Sequence, residues 1–220
     1  MIQFGFTIVV LVFVFGGLIY AFYAEKKRTE SLKNFADELG LDFYPQGRED
    51  VLAKVQQFKL FSTGRSRKMK NLILGTTEIA SIAIFDYQYT TGSGKNRSTH
   101  SQTVVSMQSS ALTIPDFTLR PEGLMDWFGS ALGFQDIDFD NHPEFSKLFV
   151  LKGENESSVR EFFDDQILDF FVQRKGITFE GASGVFVYCR RRTRTSVQDI
   201  KKYLEEGYTV YSSFMERLSR

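Results

Sequence analysis

Residues 71–108 read NLILGTTEIASIAIFDYQYTTGSGKNRSTHSQTVVSMQ and decide the fold class. Asn71 to Gly75, Ser81 to Tyr89 and Thr103 to Gln108 carry the apolar, aromatic and β-branched side chains that suit a pleated, half-buried surface. Between the last two lies TTGSGKNRSTHS, polar and glycine-bearing, the composition of a hairpin loop. Consecutive strands joined by short polar turns pair antiparallel.

Working outward, Leu41 to Tyr44 reads as a further strand and Asp50 to Phe58 as a helical patch, while Ala111 to Leu119, Asp136 to Phe139 and Phe145 to Leu151 read as extended. Ser157 to Gln173 has the spacing of one amphipathic helix, with Val159, Phe163 and Phe170 on one line and Gly176 placed to stop it. Thr178 to Arg191 forms a second hairpin through Gly181-Ala182-Ser183-Gly184. A long C-terminal helix follows, capped by Thr195 or Ser196 and carrying Val197, Ile200, Leu204, Tyr208, Tyr211, Phe214 and Leu218 on its apolar line. Hairpins interrupted by separate helices predict an α+β fold, with a mainly antiparallel sheet and helices covering one face.

Upstream of all this, Phe4 to Tyr23 runs FGFTIVVLVFVFGGLIYAFY without a charge and is followed by Glu25, Lys26, Lys27 and Arg28. At about 1.5 Å per residue the run reaches roughly 30 Å, the thickness of a bilayer's hydrocarbon core. The expectation is therefore an N-terminal transmembrane helix over residues 1–24, with 25–220 forming one domain. Basic residues follow the span and none precedes it, which predicts a single-pass protein of the inner membrane with its N-terminus outside and its domain in the cytoplasm. A separate amphipathic helix, Ser31 to Leu39, is expected to start directly below the bilayer.

Lys and Arg number 27 and so do Asp and Glu, leaving no net charge to attract nucleic acid. The single cysteine, Cys189, excludes an internal disulfide and sits in an apolar strand pattern that suits an inert thiol. No nucleophile elbow and no P-loop is present, since the Gly92, Gly94 and Lys95 loop lacks the first glycine and the Ser or Thr after Lys. No catalytic residue and no cofactor is expected.

Two groups of residues qualify as candidate sites. In DIDFDNHPE, the side chains of Asp136, Asp138, Asp140, His142 and Glu144 recur at every second position. On a strand they would share a face, and Asp136, Asp138, Asp140 and His142 have the donor chemistry for a divalent cation. The alternating Ile137 and Phe139 fit a half-buried structural strand equally well. Lys26, Lys27 and Arg28, together with Lys95 and Arg97 of the glycine loop, form the second group, suited to phosphates or anionic headgroups. Leu124, Met125, Trp127, Phe128 and Leu132 form an apolar cluster that fits the core or, if exposed, a partner.

The phrases IPDFTLRPEG (Ile114–Gly123), DIDFD (Asp136–Asp140) and HPEFSKLFVLKGE (His142–Glu154), in this order, resemble an uncharacterised family of bacterial membrane-anchored proteins, over about Tyr87 to Arg191. The resemblance implies a short anchor and a cytoplasmic α+β domain, and assigns no reaction. The combined expectation is a non-catalytic binding or scaffolding domain held at the inner membrane, contacting the bilayer through residues 4–23, a protein partner beside it, and no nucleic acid. Two alternatives stay open: a membrane-tethered metal-dependent enzyme using the Asp136 to His142 residues, or an anionic headgroup-binding domain.

Overall fold

The computed structural model describes residues 2–123, 135–182 and 184–220, with side chains from residue 15 onward. The apolar cluster at Leu124 to Leu132 lies outside the described residues.

The chain builds one eight-stranded sheet in the order β1-β2-β3-β4-β8-β7-β5-β6, antiparallel at every pairing. Its strands are β1 (Asp42–Tyr44), β2 (Arg65–Thr76), β3 (Ser81–Thr91), β4 (Ser98–Gln108), β5 (Phe117–Pro121), β6 (Phe149–Gly153), β7 (Ile177–Ala182) and β8 (Val185–Arg190). The helices are α1 (Ile2–Glu38), α2 (Glu49–Val55), α3 (Lys59–Ser62), α4 (Pro143–Leu148), α5 (Glu156–Phe162), α6 (Asp165–Val172) and α7 (Ile200–Leu218). The hairpin read from residues 81–108 is present as β3 and β4, paired from Ser81↔Gln108 to Thr91↔Ser98.

Side chains alternate across the sheet and feed two cores. Ile84 of β3 joins Leu32 and Ala36 of α1, Phe162, Ile167 and Phe171 of α5 and α6, and Phe214 of α7 in the larger one. Its centre is aromatic: Phe117 and Phe179 stack at 5.8 Å, and Phe214 meets Phe179 edge-on at 5.6 Å. Ala83, Phe85, Tyr87 and Tyr89 point the other way, onto Val55, Leu60 and Phe61 of α2 and α3. Helices therefore cover both faces of the sheet, where one face was expected. The expected single helix over 157–173 is two helices, because Asp164 leaves the helical register and its carboxylate accepts the Ile167 N–H to start α6. Residues 143–148 are helical where a strand was expected: Pro143 sits in the first turn, where a missing N–H costs nothing. Ser196 caps the turn that leads into α7, as its sequence indicates.

The transmembrane anchor needs correction. Among the described residues no helix is long and apolar enough to cross a membrane. The apolar run is not a separate span: no proline or glycine interrupts the chain from Leu18 to Leu39, so α1 continues for 37 residues through the boundary drawn after Ala24. Its second half is charged and docked on the sheet, with Leu32 and Ala36 buried. The single-pass architecture, the inner-membrane location and the orientation inferred from them are accordingly not supported.

Candidate functional site

Among the described residues, a dense polar site fastens α1 to the sheet. Arg28 grips Asp86 of β3 with both ends of its fork, Nε to Oδ2 and Nη2 to Oδ1, each at 2.7 Å, and its Nη1 donates to the Thr195 carbonyl at 2.8 Å. Arg194 bridges from the other side, reaching Asp86 Oδ2 at 3.1 Å and Glu25 Oε2 at 2.8 Å. Asn71 Nδ2 and Thr103 Oγ1 complete the carboxylate's shell at 3.0 and 3.1 Å. Asn71 lies in a β-bulge of β2 and adopts a left-handed φ of 51°, and its Oδ1 meets Thr29 Oγ1 at 2.9 Å. Burial alone would push the Asp86 carboxyl up; Arg28, Arg194 and Asn71 more than reverse this and hold it below the usual carboxylate range. Bidentate, nearly dry pairing of this kind fixes direction as well as position.

Beyond this clamp α1 leaves the sheet with its apolar surface uncovered. Phe15, Leu18, Ile19, Tyr20, Phe22 and Tyr23 are between 60% and 75% exposed, and a Cβ added at Gly16 or Gly17 would meet nothing within 4 Å. Elsewhere among the described residues the large exposed apolar side chains are scattered singly: Leu39, Ile79 and Tyr208.

The residues singled out by spacing are distributed differently. Asp136 Oδ1 accepts the Leu151 N–H at 2.9 Å while the Ile137 N–H donates to the Leu151 carbonyl, so this segment covers the edge of β6. Burial raises the Asp136 carboxyl, and the nearby Asp138 and Glu122 charges add to the rise. Asp138 offers its backbone carbonyl to Arg160 at 2.7 Å, and Asp140 is exposed in a turn. His142 faces α6 instead, with Nε2 at 2.8 Å from Asp165 and Nδ1 at 3.6 Å from Asp169. Among the described residues no three His, Cys, Asp or Glu side chains gather closely enough to hold a metal ion. Of the cationic group, Arg28 is consumed by Asp86, Lys26 pairs with Glu30 at 3.9 Å, and Lys27, Lys95 and Arg97 are exposed, the last two at the β3–β4 turn. Cys189 is buried against Gln102 Nε2 at 3.3 Å, and burial pushes its thiol far up, which leaves it unreactive.

Sequence reasoning missed Glu180. This fully buried carboxylate on β7 accepts the backbone N–H groups of Lys59 and Leu60 at 2.5 and 2.9 Å, tying α3 to the sheet. Burial pushes its carboxyl up to about 7 despite those two donors. It lies on the floor of an open groove of about 310 Å³, rimmed by Lys59, Asp116, Lys152 and Glu154. An acid inside the apolar strand ITFEGA was the available signal; its partners, 120 residues away, were not.

The structure is similar to the crystal structure of the mycobacterial trehalose monomycolate transport factor A, TtfA. The TM-score is 0.60 at 15% sequence identity, and the match covers 86% of this chain and 93% of that one. At that identity the likeness shows the fold alone. No protein-family model matches the chain, and no curated protein sequence matches it. The match supports the expected α+β fold.

Proposed function

We propose that this chain is a non-catalytic accessory protein that works by binding a partner protein, and that the contact is the apolar stretch of α1 from Phe15 to Tyr23. The observation that carries the reading is the pairing of six clustered, exposed apolar side chains with a buried ionic clamp directly below them. A helix that is apolar all round is covered in its working state. The clamp gives that helix a fixed exit from the sheet, which lowers the ordering cost of docking. The shared fold with a transport factor agrees with an accessory role.

The occupant that fits is an apolar helix of another protein. Gly17 and Ala21 are four residues apart, and Ala24 follows on the same side, so one stripe of α1 has small side chains that allow close helix approach. Phe15, Ile19 and Phe22 occupy the opposite side. Replacing Gly17 and Ala21 together by Leu fills the stripe without lowering helix propensity. The full-length double variant should fold normally and lose recovery of the partner at least tenfold, while Ile19→Leu keeps it. Equal recovery by all three proteins would remove the proposal.

A further inference from the structure

We infer that the sheet end formed by Tyr89, His100, Arg191 and Arg192 is a binding site for a phosphate-type oxyanion. The strand register builds the cluster. Tyr89 and His100 are directly paired across β3 and β4, with ring centroids 5.1 Å apart. Gln102 shares their face, two residues along β4. Pairing of Cys189 with Val104 brings the residues after Cys189 alongside Gln102, so Arg191 emerges beside it. Gln102 is completely buried and fixed at both ends, donating to Cys189 Sγ at 3.3 Å and accepting the Arg192 N–H at 3.0 Å. Burial raises the Tyr89 phenol above its ordinary range, and the nearby Arg191 and Arg192 act against that rise.

Three features separate this cluster from an ordinary charged face. Arg192 holds a left-handed φ of 56°, a conformation that costs a non-glycine residue stability and is usually retained for a reason. That kink lets the Thr193 carbonyl accept the Thr103 N–H, which pins the turn and keeps both arginines at the sheet end. The charges are also one-sided. Burial, then the positive Arg192 and Arg191, hold the His100 imidazole below the usual histidine range, and the two guanidinium groups oppose one another. Arg192 makes no ion pair among the described residues, unlike Arg190, which meets Glu206 at 3.0 Å, and Arg194, which meets Glu25 and Asp86. Finally, Thr91 Oγ1 lies 2.8 Å from His100 Nε2 and fixes the ring at the rim.

Two planar guanidinium forks beside a fixed imidazole offer donors from several directions, which a tetrahedral oxyanion with three free oxygens satisfies better than a planar carboxylate. Lys95 and Arg97, exposed on the β3–β4 turn, extend the positive field beyond the cluster. The recognised chemistry is a phosphate monoester, whether on a soluble molecule or on a lipid headgroup.

Titration calorimetry of the full chain with inorganic phosphate and with glycerol 3-phosphate, at constant ionic strength against chloride, tests the soluble source. Sedimentation with phosphatidylcholine vesicles, with and without phosphatidate, tests the lipid source. Arg192→Gly is the informative variant, since glycine accepts a positive φ and the side chain is exposed. Its melting temperature should be unchanged or higher while phosphate affinity falls at least tenfold. Arg191→Lys, which keeps charge but loses the fork, should fall severalfold. Saturable binding in either arm with these losses supports the site and names its source. Heats equal to chloride together with no phosphatidate-dependent sedimentation, or full binding by Arg192→Gly, would overturn it.

Discussion

Replacing Asp86 by Leu should be among the most damaging single changes in the protein. The carboxylate side chain is 8% exposed and the Arg28 side chain facing it 13%, so the pair is close to fully desolvated. Removing the anion leaves Arg28 with only the neutral Thr195 carbonyl and Thr103 hydroxyl and Arg194 with Glu25 alone, and stranding buried charge in this way costs about 3–5 kcal/mol. Arg28→Leu should cost less, about 2–4 kcal/mol, because Asp86 keeps Arg194, Asn71 and Thr103 as partners. Arg28→Leu with Asp86→Leu replaces the pair by packed apolar groups, and should be less destabilised than the sum of the singles by about 2 kcal/mol or more. Urea unfolding of the four proteins reads this coupling. The Asp86 carboxyl is held below its ordinary value, so its contribution is present above about pH 4 and is lost as pH falls further. Single-mutant effects that add within about 0.5 kcal/mol would show that the network does not act as a unit.

Glu180 makes the opposite pH prediction. Its carboxyl rises from 4.5 to about 7 on folding, so the folded state holds a proton that the unfolded state has released, and stability falls as pH rises across that window. In Glu180→Gln that slope should vanish, and the variant should gain about 2–3 kcal/mol relative to wild type between pH 5 and 7.5; parallel stability profiles would refute the assignment. Gly181→Ala would set a Cβ 2.6 Å from the Phe117 ring and 2.9 Å from Ile114, costing about 1–3 kcal/mol in a thermal melt, and an unchanged melting temperature would show a looser core.

Local pattern carried the central hairpin well because its signal is local. Ser81 to Tyr89 alternates into two cores, and the turn at Gly92 to Asn96 reads from glycine and polar residues alone. The start of β4 was less visible, since His100, Ser101 and Gln102 are polar residues whose burial depends on Tyr89, Cys189 and Arg192. The break at Asp164 was hidden because Val159, Phe163 and Phe171 face one core on either side of it. Phe145 to Leu151 has the apolar content of a strand, yet its first half is helical because Pro143 begins a helix, where its missing N–H costs nothing. Arg28 looked like a charge flanking a membrane span; its carboxylate partner lies 58 residues away, and no period in the sequence connects them. Periodicity reports which face is buried, but ionic partners are chosen by the tertiary fold.

The central claim is that a partner helix covers the uncovered stretch of α1. A photo-crosslinking amino acid introduced singly at each position from Phe15 to Ala24 of the full-length chain, in its native cells, tests this most directly. Protein adducts confined to Gly17, Ala21, Ala24 and their immediate neighbours, mapping to one apolar helix of the partner, are the predicted result. Equal labelling around the whole circumference, or adducts to lipid without protein, would contradict it.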